Sequence, residues 1–123
     1  MGDQGNTRDR RAHERYHLKR SFDVINRDNT RVLGKVADIS IEGMMLLSTN
    51  LIQADTLYQV SLTPAKEDDN DPQINMGLDC MWVQEREDAG CWAGFKIIDI
   101  DDDALDHLQQ LIDEFGLPEQ SRQ

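Results

Sequence analysis

Thr30-Arg31-Val32-Leu33-Gly34-Lys35-Val36-Ala37-Asp38-Ile39-Ser40-Ile41-Glu42-Gly43-Met44-Met45-Leu46-Leu47 is the run that decides the fold of this 123-residue chain. Thr30 to Ile39 reads as a strand carrying Val32, Leu33, Val36 and Ile39, with Gly34 marking a bulge or a close backbone approach. Ser40 to Gly43 is a turn, and Met44 to Leu47 is a compact apolar strand beyond it. Upstream, Phe22, Val24 and Asn26 lie on one side of an earlier strand that ends at the turn signal Arg27-Asp28-Asn29, which makes a hairpin with the first. Downstream, Leu57 to Leu62 forms a fourth strand that Pro64 stops, followed by an acidic loop, Ala65 to Pro72, long enough to be mobile. Ile74 to Val83 and Cys91 to Ile100 are two more strands, joined through Glu85-Arg86-Glu87-Asp88-Ala89-Gly90, which has hairpin composition. The period then changes: Leu105, Leu108, Leu111, Ile112 and Phe115 recur at the spacing of one helix face. Asp101, Asp102 and Asp103 supply its N-cap and suit the positive end of its dipole, while Gly116 and Pro118 end it. Six short strands and one terminal helix predict a mainly β fold, a six-stranded antiparallel β-barrel whose open end the C-terminal α-helix covers.

Length and composition fit one such domain over residues 11–117, with a flexible N-terminal arm, residues 1–10, that has nothing apolar to bury, and a tail at 118–123. No apolar run has the length of a membrane span and Met1 to Arg15 is polar, so neither a signal peptide nor membrane insertion is expected. The expected location is cytoplasmic, with Cys80 and Cys91 as buried free thiols. The net charge of −11 is unevenly spread: residues 1–35 hold nine Lys or Arg against five acids, and the remaining 88 residues carry −15. A basic end on an acidic body suits a small or localised anion and repels long polyanions, which argues against DNA or RNA as a partner.

Two short patterns carry chemistry. Arg10, Arg11 and Arg15 place three guanidinium groups within six residues, in the form Arg11-x-x-x-Arg15. Each is a planar fork able to take phosphate oxygens or the O6 and N7 edge of guanine. Asp38-x-Ser40-x-x-Gly43 adds a carboxylate that can accept from guanine N1–H and N2–H, a hydroxyl, and a glycine that admits a ligand to the backbone; on its own it would be a turn whose Asp and Ser satisfy backbone donors. His13-Glu14-Arg15-Tyr16-His17 fits the zinc hydrolase pattern His-Glu-x-x-His, but that pattern needs a helix braced by a core, and His107 offers no third ligand. Trp82 and Trp92 fall in neighbouring strands, where barrel-wall packing is the plainer reading; Trp82 is the better candidate to meet a base. No serine or cysteine has a histidine placed to activate it, so no catalytic residue and no metal ligand set is assigned.

Taken together, in this order and separation, the two patterns resemble the PilZ domain, a bacterial receptor module for the second messenger cyclic di-GMP. Ala93-Gly94-Phe95 in the last strand is similar to the family's glycine-aromatic ending. The resemblance implies a non-enzymatic receptor in which Arg11 and Arg15 hold guanine edges and phosphates while Asp38, Ser40 and Gly43 line the other side of the ligand. Arg10, directly before the motif, implies an intercalated dimer of cyclic di-GMP. The expected mechanism is an order transition in which the mobile arm closes on the ligand, with output to an effector protein, since no catalytic or DNA-binding domain is expected within this sequence. The alternative is a PilZ-like interaction module that binds a protein and no nucleotide; a zinc hydrolase through His13, Glu14 and His17 is the distant one.

Overall fold

The computed structural model describes residues 14–65 and 73–118. Eight strands and one helix occur in the order β1 (Tyr16–Leu18), β2 (Phe22–Asn26), β3 (Arg31–Ile39), β4 (Gly43–Ser48), β5 (Thr56–Pro64), β6 (Ile74–Glu85), β7 (Cys91–Asp99), α1 (Asp102–Phe115) and β8 (Gly116–Pro118). The six predicted strands pair in the order β2-β5-β6-β7-β4-β3, all antiparallel, and a β2–β3 pairing closes the ring. Closure leaves none of these six strands with a free edge.

Bulges curve the wall. Leu33, Ala37, Met81 and Ile98 are each an extra residue against the facing strand. Each re-phases the strand beyond it, so consecutive side chains can stand on one face where strict alternation would send one inward. Gly34 stands beside the first of them, as its sequence position suggested.

Two features differ from the sequence reading. β5 runs through Pro64, which pairs with Phe22, instead of stopping before it; a proline is tolerated at a strand's last position, where the missing N–H breaks no interior ladder. The three-residue strands β1 and β8 had no prediction, and Pro118 belongs to β8 rather than to the tail. They pair with each other, and β1 joins β3 through Tyr16 and Ile39.

The core is filled from the barrel strands and from one face of the helix. Val24, Ile39, Met44, Leu46, Val60, Leu78 and Cys80 are fully buried, and the stripe Ala104, Leu108, Leu111 and Ile112 lays α1 on the barrel. Phe115 meets Phe22 edge to face at 5.8 Å between centroids, anchoring the helix's last turn near the root of β2. Asp101 caps the first turn, its carboxylate accepting from the Ala104 amide at 2.8 Å. Asp101→Ala is therefore expected to lower stability by about 1 kcal/mol, read as a shift in urea midpoint; an unchanged midpoint would show the cap to be replaced by water. At the other end Gly116 is extended (φ −80°, ψ 138°) and its N–H reaches the Ile112 carbonyl, so the helix passes straight into β8. No helix among the described residues is long and apolar enough to cross a membrane.

Candidate functional site

β3 ends and β4 begins at the Asp38-to-Gly43 turn, which is held from within and from outside. The Ser40 hydroxyl accepts from the amides of Glu42 (3.1 Å) and Gly43 (3.2 Å), and the Ser40 amide donates to the Gly43 carbonyl at 2.8 Å. From β7, the Ile97 amide donates to the Glu42 carbonyl at 2.8 Å. Gly43 lies so close to β7 that a Cβ there would overlap the Phe95 carbonyl oxygen. Glycine is needed here for close approach, not for an unusual φ.

Asp38 behaves differently from Ser40. The bulge at Ala37 puts Asp38 opposite Met45 while Ile39 and Met44 go to the core. Although Asp38 is only 5% exposed, it is charge-paired: the Arg15 guanidinium donates to its carboxylate at 2.7 Å. The Arg15 side chain remains 43% exposed, so it can keep this partner and still present donors to a ligand.

The opposite wall comes from β6 and β7. The bulge at Met81 turns Met81 and Trp82, two successive residues, outward, where they are 52% and 43% exposed. The Trp82 indole lies directly over Gly94, its cross-strand partner, and a methyl at position 94 would overlap the ring.

Between these walls is an open cavity of about 500 Å³, the size of a small-molecule site. Arg15, Asp38, Ser40, Gly43 and Trp82, all singled out from the sequence, line it; Arg10 and Arg11 lie outside the described residues. Met45, Met81 and Lys96 also line it, and none of them has a sequence signal, because bulges and strand pairing bring them there. Lys96 adds a second cation to the lining. The chemistry on offer is anion contact from Arg15 and Lys96, an acceptor in Asp38, and an aromatic face with thioether neighbours for a planar group.

The remaining candidates lie elsewhere. Trp92 is half-buried on β7 with the Arg86 guanidinium 5.4 Å above its ring, away from the cavity. His17 is in strand β1, its Nδ1 3.1 Å from the Ala37 carbonyl, so the described part of the His-Glu-x-x-His pattern lacks the helix that zinc binding needs; His13 lies outside the described residues. His107 is exposed on α1. Cys80 and Cys91 are buried free thiols; burial pushes the Cys80 thiol up to about 11 and raises that of Cys91, which keeps thiolate scarce at neutral pH.

A family model, the PilZ domain, matches residues 9–114. Among solved structures the chain is similar to the Bacillus subtilis inhibitor of motility (MotI/DgrA), with a TM-score of 0.63 and 16% sequence identity over 85% of this chain. At that identity the likeness is one of fold, and this chain spans 50% of that structure's chain. None of the curated proteins matches.

Proposed function

The chain belongs to the PilZ domain family, and on that premise we propose that it binds cyclic di-GMP in the cavity between the Asp38-to-Gly43 turn and Trp82. The observation that supports this most is the gathering of Arg15, Asp38 and Trp82 around one open volume. Cyclic di-GMP carries two phosphates and two guanines, and the cavity offers cations, a carboxylate acceptor and an indole face for those groups. In this reading Arg15 stays on Asp38 while its free N–H groups take a phosphate or a guanine edge. Trp82 stacks on a base. Ser40 shapes the turn, since its hydroxyl is engaged by Glu42 and Gly43, and Gly43 lets the turn sit against β7.

Arg10 and Arg11 complete the binding set from the N-terminal arm, which closes on the ligand. An intercalated dimer of cyclic di-GMP is the proposed stoichiometry, since Arg10 adds a guanidinium for the second molecule's phosphates. The output is an altered charge surface presented to an effector protein: ligand and arm cover one side of a largely acidic body. No chemical step is involved.

Calorimetric titration with cyclic di-GMP, with GMP as control, tests this. Micromolar or tighter binding near two ligands per chain is the expected result. No heat at high ligand concentration would shift the reading to a PilZ domain that binds a protein instead. Gly94→Ala gives a finer test. The half-exposed indole can swing out to make room, so stability should hold while affinity drops by about 1–3 kcal/mol, the usual worth of an aromatic–base stack. Equal affinity in that variant would remove Trp82 from the ligand contacts.

A further inference from the structure

We propose that β8, the three residues directly after the helix, is the positioning element for Arg15, and that occupation of the cavity is thereby registered at the C-terminal end of α1. The proposal rests on the cyclic di-GMP reading where ligand is used as the probe, and stands apart from it in the ligand-free protein.

Arg15 stands immediately before β1, so its backbone is as well placed as β1 is. On the β3 side that strand has one register pair, Tyr16 with Ile39. On the β8 side it has three: Tyr16 with Pro118, His17 with Leu117, and Leu18 with Gly116. Just beyond, the Lys19 amide donates to the Phe115 carbonyl at 2.8 Å. Bonded pairs alternate along an antiparallel ladder, so His17 and Leu117 are the next bonded pair. The backbone that carries Arg15 is thus tied to the end of α1.

Core filling does not account for β8. Gly116 has no side chain, and Leu117 is 48% exposed. What β8 supplies is a ladder for β1. Without it, the segment at Arg15 would fray, and a ligand would have to order it on binding. Linkage makes the effect mutual: a ligand that fixes Arg15 must stabilise the β1–β8 pairing by the same factor. No β8 residue lines the cavity, so protection appearing there on binding would be transmitted and not direct.

Leu117→Pro in the full chain tests this. Proline removes the Leu117 donor, and Gly116, the residue before it, already has the extended conformation that a residue before proline requires. Leu117→Val is the control that changes the side chain and keeps the donor. Hydrogen exchange of the ligand-free proteins should show faster exchange at His17 and Lys19 in Leu117→Pro only. Its thermal melt should stay cooperative and its affinity for cyclic di-GMP should fall by about tenfold. In the unmodified chain, cyclic di-GMP should slow exchange at Leu117. Unchanged exchange at His17 and Lys19 in a folded Leu117→Pro protein would overturn the proposal whatever the ligand does. Binding by the unmodified chain with no change at Leu117 would overturn its transmission. If the unmodified chain does not bind at all, the cyclic di-GMP reading falls and the ligand-free exchange still decides whether β8 holds β1. If Leu117→Pro does not fold, exchange at Leu117 with and without ligand decides.

Discussion

Gly43→Ala should destabilise the barrel by about 3 kcal/mol, the upper range for forcing one extra carbon into a packed site. The atom that a new Cβ would meet is the Phe95 backbone carbonyl, which cannot rotate away as a side chain can. Relief requires β4 and β7 to part, with loss of the Gly43–Lys96 register and of the Ile97-to-Glu42 bond. Gly94→Ala is the contrasting case, because there the neighbour is a half-exposed indole. Urea unfolding of the two variants side by side is the measurement. A Gly43→Ala midpoint equal to that of the parent protein would mean that the turn can lift from β7 without penalty, and the account of the turn would be wrong.

The largest effect on binding is expected from Arg11→Ala combined with Arg15→Ala. Each lost bidentate contact is worth about 1–3 kcal/mol, so the double variant should show no cyclic di-GMP binding at concentrations that saturate the parent. Arg15 has a second function that must be separated from the first. Its removal leaves the Asp38 carboxylate buried without its 2.7 Å cation, so Arg15→Ala should also lose stability. Arg15→Lys resolves the two: a lysine can keep charge beside Asp38 but lacks the planar fork, so stability should largely return and affinity should not. Full affinity in Arg15→Lys would show that the site needs only a point charge there. Full affinity in the double variant would take both arginines out of the site.

How much was legible beforehand depended on the length of the signal. Strands such as Phe22–Asn26 and Gly43–Ser48 announce themselves by apolar residues between turn signals, and α1 by its stripe, because a period needs several residues to appear. β1 and β8 are three residues each and hold together through backbone pairing, which leaves no side-chain period. At the cavity, residue types indicated which chemistry to look for, and Asp38, Ser40 and Gly43 do sit together. The turn role was one of the two readings for Asp38 and Ser40, and Ser40 alone takes it, spending its hydroxyl on the turn, while the cation that faces Asp38 was hidden. Lys96 was hidden because strand pairing, opposite Gly43, brings it to the cavity, and Met81 for a different reason. A bulge is a single residue with no composition of its own, yet it decides which face every later side chain of the strand takes.

The two tryptophans offer the most direct test of where the ligand sits. In proton–nitrogen NMR spectra each indole N–H gives its own signal; Trp82 lines the cavity, whereas Trp92 lies beneath Arg86 away from it. Titration with cyclic di-GMP should shift the Trp82 indole signal and the amides of Ser40 to Gly43 while leaving the Trp92 indole in place. Binding that moved Trp92 and left Trp82 and the turn unchanged would put the ligand elsewhere on the barrel and contradict the account.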